Sequence, residues 1–116
     1  MGVSEPLIQA SLLGEAVEHG PAAVFVADEG GRYVAVNQAA CALVGYSREE
    51  LLTMRVTDLI APEKAAGPWG EMVANGAHRG RATLTRKDGS TVEFGYVAGE
   101  TKVAGMPVYV SVGAAT

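Results

Sequence analysis

The sequence predicts an α+β domain, a five-stranded antiparallel sheet with short helices on one face and an amphipathic helix ahead of it. Three observations predict it. Two strand patterns flank Gly30-Gly31 near the start. A run of short, separately capped helices begins at Asn37. Three further strand patterns close the chain, two of them around Asp88-Gly89. The 116 residues fit one domain, and 48% hydrophobic content is enough for a core.

Ser4 to His19 reads as an amphipathic helix. Ser4 can cap it, and Glu5 and Pro6 suit its first turn. Ile8, Leu12 and Ala16 form one stripe, with Leu13 and Val17 beside it. Gly20-Pro21 ends it. Such a stripe can pack on its own sheet or pair with a second copy. Ala22 to Asp28 reads as a strand, Gly30-Gly31 as a tight turn and Arg32 to Val36 as the returning strand.

Asn37 suits a helix N-cap, because its side-chain oxygen can accept an N–H of the first turn. Ala39, Ala40, Leu43 and Val44 fall on one face of that helix. Gly45 stops it in a left-handed turn. Ser47 restarts at once, with Glu50 three residues on, which gives a capping box. Thr57 or Asp58 can start one more turn before Pro62. Gly67-Pro68 interrupts the pattern after Glu63, and a helix over about Pro68 to Asn75 turns Trp69, Met72 and Val73 inward until Gly76.

Gly80 to Lys87 and Thr91 to Ala98 read as strands around Asp88-Gly89, a two-residue hairpin signal. Val92, Phe94 and Tyr96 share one face. A looser turn spans Gly99 to Gly105. Met106 to Val112 is the last strand, with Pro107 near its beginning because it has no N–H to give. Val108, Val110 and Val112 oppose Tyr109 and Ser111, so both faces are apolar. A central strand, one face under the short helices and the other under the N-terminal helix, explains that. The expected division is a flanking helix over 1–20, a domain over 21–113 and a tail over 114–116.

Thirteen acidic and nine basic residues leave a net charge of −4. Nucleic-acid binding draws on clustered Lys and Arg. The one local excess, Arg79, Arg81, Arg86 and Lys87, reads as a solvated strand face. No apolar run approaches the ~18 residues of a membrane helix. The first basic residue is Arg32, so the start lacks the form of a signal peptide. Cys41 is the single cysteine, which rules out an internal disulfide and suits a reducing compartment. A cytoplasmic chain without nucleic-acid or membrane partners is the expectation.

Nothing in the sequence points to catalysis. His19 and His78 are the two histidines, and neither stands in a motif with Ser or Cys. No spacing suits a metal site. Glu49-Glu50 is the acidic first turn of a helix rather than an acid/base pair. Cys41 has only Ala40 and Ala42 beside it, so it reads as a small buried residue rather than a thiol sensor. A small cone-shaped enzyme such as an isomerase is a remote alternative. It needs a carboxylate or histidine on the apolar inner face, and Asp28 and Asp58 lie near element ends.

Several motifs together carry a resemblance. A hairpin leads into Val36-Asn37, then Gly45-Tyr46-Ser47-Arg48-Glu49-Glu50-Leu51, then Asp58-Leu59-Ile60-Ala61-Pro62-Glu63. Arg86-Lys87-Asp88-Gly89-Ser90 comes next, at the second hairpin. This order resembles the PAS sensory-domain family over roughly Ala22 to Val112. The resemblance implies strand order 2-1-5-4-3 with the last strand central. It also implies a dimerising N-terminal helix, with Ile8, Leu12, Leu13, Ala16 and Val17 as the interface.

The resemblance also bears on cofactors. The flavin-binding LOV branch carries Gly-x-Asn-Cys-Arg-Phe-Leu-Gln after the Gly-Tyr-Ser helix start. Here Thr53 to Ile60 stands in that place, with Val56 instead of the adduct-forming cysteine. The flavin-gripping amides fall near Leu84 and Phe94, which have no hydrogen-bonding side chain. Haem-binding relatives supply a histidine from the helix before the third strand. Glu63 to Ala77 contains none, and His78 lies just past it. Neither flavin nor haem is expected.

What remains is an apolar cavity. Its expected lining is Phe25, Ala27, Leu84, Phe94, Tyr96, Tyr109 and Ser111 on the sheet. Ala40, Leu43, Val44, Met54, Leu59, Trp69 and Met72 face it from the helices. Two phenols, one hydroxyl and the indole N–H fit a small apolar ligand with one or two hydrogen bonds, or a cavity filled by its own side chains. The alanines at 27, 39, 40 and 42 leave room for a ligand. The reading is a sensory and signal-transduction domain of the bacterial signalling type. It forms a homodimer and senses a small ligand within a larger signalling protein that supplies the effector. The competing reading is a ligand-free dimerisation module. Family members often end in Asp-Ile-Thr before an effector, whereas Gly113-Ala114-Ala115-Thr116 departs from that pattern.

Overall fold

The computed structural model describes residues 5–60 and 77–116. The elements are α1 (Pro6–Glu18), β1 (Ala23–Ala27), β2 (Tyr33–Val36), α2 (Gln38–Val44), α3 (Arg48–Leu51), α4 (Val56–Leu59), β3 (Ala77–Thr85), β4 (Thr91–Val103) and β5 (Met106–Ala115). All strand pairs are antiparallel, in the order β2-β1-β5-β4-β3, as expected. β5 is central, held by β1 on one side and β4 on the other. The break at Ala61-Pro62-Glu63 and the expected helix from Pro68 to Asn75 lie outside the described residues. α1 takes Glu5 rather than Ser4 as its N-cap, so Glu5 stands before the first turn and not in it.

The local signals account for the short helices. Asn37 accepts the Ala40 N–H at 3.0 Å and starts α2. Gly45 ends α2 at φ +78°. Ser47 Oγ accepts the Glu50 N–H at 3.1 Å, and Glu50 Oε1 accepts the Ser47 N–H at 2.9 Å, closing the capping box. Lys87 Nζ donates to Glu50 Oε2 at 2.7 Å. That bond, with the Ser47 N–H, holds the Glu50 carboxyl below the usual carboxylate range. α4 starts one or two residues earlier than Thr57 or Asp58. Asp58 is instead its third residue and reaches back to accept the Arg55 N–H at 2.7 Å.

The strands differ from expectation where pairing overrides local signals. β4 does not stop at Ala98 for a loose turn over Gly99 to Gly105. It runs on to Val103, which pairs with Met106 across the two-residue turn Ala104-Gly105. Those two residues carry φ +51° and +80°, the left-handed pair that a tight hairpin needs. The longer β4 gives β3 a longer partner, so β3 starts at Ala77 opposite Gly99 rather than at Gly80. β5 likewise continues past Val112 to Ala115, which pairs with Phe94. Residues 114 and 115, expected in the tail, are therefore strand.

The Asp88-Gly89 turn is wider than a two-residue hairpin. Arg86 N donates to Ser90 O at 2.7 Å, and only Gly89 is left-handed. The residues just outside the strands reach α2 instead. Lys87 N donates to Val44 O at 2.9 Å and Arg86 Nε to Leu43 O at 3.0 Å, which satisfies carbonyls at the α2 C-terminus. The β2 edge is covered by the chain running from α3 into the start of α4, where Tyr33 N donates to Met54 O and Val56 N to Gly31 O.

α1 corrects a further expectation. It buries none of its residues and does not cover the outer sheet face. There Val34, Val97 and Val112 stay 46%, 50% and 40% exposed.

Ala104 is the one described non-glycine residue with positive φ. An alanine held there costs about 1–2 kcal/mol. Ala104→Asn would give the Asn-Gly pair that such turns favour. It is expected to raise stability by about 1 kcal/mol, read as a higher urea midpoint at unchanged slope.

Candidate functional site

The candidate site is the inner face of the sheet under α2, α3 and α4. Register places the expected side chains together. Phe25 pairs with Ser111, Ala27 with Tyr109, Tyr96 with Gly113 and Phe94 with Ala115. Directly paired residues share a face of the sheet, so these line one surface. α2 packs on β1, α3 on β2 and α4 on β3.

Phe25, Ala27, Ala40, Val44, Leu59, Leu84 and Phe94 are buried in one cluster. Leu43, Met54 and Tyr96 pack against it, partly buried. Tyr109 is buried in a second, smaller cluster with Ala98, which Tyr96 also touches. Ser111 is half-buried. Trp69 and Met72 lie outside the described residues. Ala27 and Ala40 are buried in the core, Ala39 packs against it half-buried, and Ala42 is exposed, so Ala42 of the four alanines does not leave room inward.

An aromatic chain crosses this face. Ring centroids are 5.6 Å apart for Tyr33–Phe25 and Phe25–Phe94, 5.8 Å for Phe94–Tyr96 and 5.7 Å for Tyr96–His78. All fall within the range where ring pairs attract beyond their buried area. The Phe25–Phe94 pair is edge-on, and Phe94–Tyr96 is stacked.

Tyr33 and Leu51 belong to this core and were not singled out by the sequence. Strict alternation back from Val36 turns Val34 inward and Tyr33 outward. The register slips between Val26 and Ala27, so Ala27 pairs with Tyr33 and Tyr33 turns inward. Burial pushes the Tyr33 phenol well above its ordinary value, and Asp58 adds to this. Leu51 closes the capping-box helix with its side chain fully buried. Ile8, Leu12, Leu13, Ala16 and Val17 stand apart from the core on α1. Leu12, Leu13 and Val17 are 49%, 66% and 47% exposed.

The site has little ionic chemistry. Burial raises the Tyr109 phenol, and Glu100 and Glu29 add to it. Burial also raises the half-buried Cys41 thiol, against the pull of Arg48. A raised thiol is a poor nucleophile near neutrality. Among the described residues, every buried side-chain N or O has a hydrogen-bond partner. Among them, too, no three His, Cys, Asp or Glu side chains gather as a metal cluster would. No helix among the described residues is long and apolar enough to cross a membrane.

Comparison with known proteins gives the geometry a context. The family described as PAS domain matches residues 21–109. The chain is similar to a PAS domain from a two-component sensor histidine kinase, with a TM-score of 0.83 and 16% identity, covering 97% of this chain and 100% of that one. It is similar to the PAS domain of an HTR-like protein from Haloarcula marismortui, with a TM-score of 0.81 and 21% identity over 93% and 92% of the two chains. A domain of a sensory box sensor histidine kinase/response regulator from Geobacter sulfurreducens matches with a TM-score of 0.80 and 20% identity, over 97% and 98%. No curated protein sequence matches. With the match spanning most of the chain and the sheet order that goes with it, this protein belongs to the PAS domain family.

Proposed function

We propose that this PAS domain is a sensory and interaction module of a larger signalling protein, and that it forms a homodimer through α1. The observation that carries the reading is the state of α1. Leu7, Leu12, Leu13 and Val17 stand exposed on a helix with no fully buried residue. A lone helix of 13 residues is marginal in water unless an apolar face is covered. A second copy supplies that cover. The inner face supports the sensing half of the reading. Tyr96, Tyr109 and Ser111 place hydroxyls on the sheet face that carries the buried apolar cluster, and a small apolar ligand with one or two polar groups would sit against that face. Such a ligand would signal only by binding two arrangements of the domain unequally. The half-buried lone thiol suits a reducing compartment such as the cytoplasm.

Sedimentation tests the dimer. Wild type is expected to run as a dimer. Leu12→Glu with Ala16→Glu is expected to run as a folded monomer that keeps the circular dichroism of the sheet, since both positions are exposed, while its urea midpoint loses the concentration dependence that a dimer shows. A monomeric wild type at tens of micromolar would end the dimer reading. Native mass spectrometry of the same sample, with its absorbance spectrum, tests the ligand. A bare dimer mass supports a dimerisation module with a self-filled core, and an added mass supports sensing.

A further inference from the structure

Two polar links hold α1 to the rest of the described chain. One is Arg48 of α3. Its guanidinium Nη2 donates to the Glu18 carboxylate on the last turn of α1, and its Nε donates to Val36 O at 3.2 Å. The other is Asn37, which is the only buried polar or charged residue among those described.

Asn37 uses its whole side chain. Oδ1 accepts the Val24 N–H at 2.9 Å and the Ala40 N–H at 3.0 Å. Nδ2 donates to Val17 O at 2.7 Å and to Ala22 O at 2.8 Å. The orientation of the amide is fixed by these partners. Turning it over would set oxygen against two carbonyls and N–H groups against two N–H groups. One residue thus joins the last turn of α1, the connection after it, β1 and the N-terminus of α2. The C-terminus of α2 is held in turn by Arg86 and Lys87 from the β3–β4 connection. α2 is seven residues long, a rod of about 10 Å between those two attachments.

We propose that Asn37 is a latch that couples α1 to the core. A shift of α2 or of the β3–β4 connection reaches α1 through the Nδ2 bond to Val17 O, backed by the bond to Ala22 O in the connection that follows the helix. This deepens the proposed function, because it names how an event in the core would reach the helix assigned to the interface. The latch itself is defined by contacts within one chain and stands whether or not the chain dimerises.

Asn37→Asp isolates the latch. The aspartate is nearly isosteric and still accepts from Val24 N and Ala40 N, so α2 stays capped. It has no donor for Val17 O and Ala22 O and sets a negative oxygen against both. Hydrogen exchange read by NMR is expected to speed up about 10- to 30-fold for the amides of α1, the loss of two hydrogen bonds. The amides of β1 and β5 are expected to move far less. Glu18→Gln weakens only the exposed link and is expected to give about a 2- to 5-fold change in the same amides. If Asn37→Asp folds and leaves α1 exchange at the wild-type rate, the latch is wrong. If Asn37→Asp does not fold, Asn37→Ser, which can still cap α2 but is too short to reach Val17 O, reads the same amides, and wild-type rates in it overturn the proposal. Sedimentation of each variant separates the two ideas. Faster α1 exchange in a protein that was never a dimer keeps the latch and discards the interface.

Discussion

Phe25→Ala is expected to destabilise the domain by about 3–5 kcal/mol, a large share of what a domain of this size has. Phe25 sits on a strand of the sheet's middle, paired with Val36 on one side and Ser111 on the other. Its ring is the shared neighbour of Tyr33 and Phe94, at 5.6 Å from each. Removing it deletes both ring contacts and leaves a void under α2. The nearest inward side chains on its own strand, Ala23 and Ala27, are too short to fill it. Phe25→Leu keeps most of the volume and is expected to cost clearly less. Urea unfolding followed by circular dichroism gives both numbers. A loss under about 1 kcal/mol for the alanine variant would mean that the inner face is open to water, against the burial of this ring.

Gly113→Val is expected to detach the end of β5. A Cβ at Gly113 would lie 2.0 Å from Gly95 O and 2.9 Å from Tyr96 Cα. Those are backbone atoms of the neighbouring strand, so no rotamer change relieves the clash. The ladder must open from that point outward, releasing the pairs Gly95–Ala114 and Phe94–Ala115 and the Thr116 N to Glu93 O bond. Overpacking of this kind costs about 1–3 kcal/mol, and more where backbone must move. Ala114→Val, one residue on and exposed, is the matched control and is expected to stay within about 0.5 kcal/mol of wild type. Thermal unfolding ranks the two variants. Equal melting temperatures would contradict the close approach of β4 and β5 at this glycine.

The close approach at Gly113 could not be read from the chain, whereas much around it could. Asn37, Gly45, Ser47 and Glu50 announce α2 and α3 because capping is settled within four residues of sequence. The strand order came from the family resemblance carried by these same motifs. What stayed hidden depends on partners distant in sequence. Gly99 looks like a turn residue until β5 lies beside it, and then it is simply a paired strand residue opposite Val110. Tyr33 looks outward until the slip in β1–β2 pairing turns it in. The apolar stripe of α1 is plain in the sequence, but a stripe does not say what it covers. The Nδ2 bond of Asn37 to Val17 O was equally out of reach, since a cap residue predicts only the bond to its own helix.

The central place of β5 also decides how the domain can assemble. β3–β4 and β4–β5 are joined by short turns and can zip from them outward. β1 has no such neighbour on its β5 side. Ala27 meets Tyr109 and Ala23 meets Gly113, partners 82 and 90 positions apart in the chain. Closing a loop of that length carries an entropy cost that no local contact offsets in advance, although each further doubling would add only about 0.6 kcal/mol. Pairing of such distant strands slows folding. Joining the front of the chain to its back is thus expected to be the slow step of refolding, and until it is complete one long edge of a β3–β4–β5 ribbon would stand open to any other extended chain.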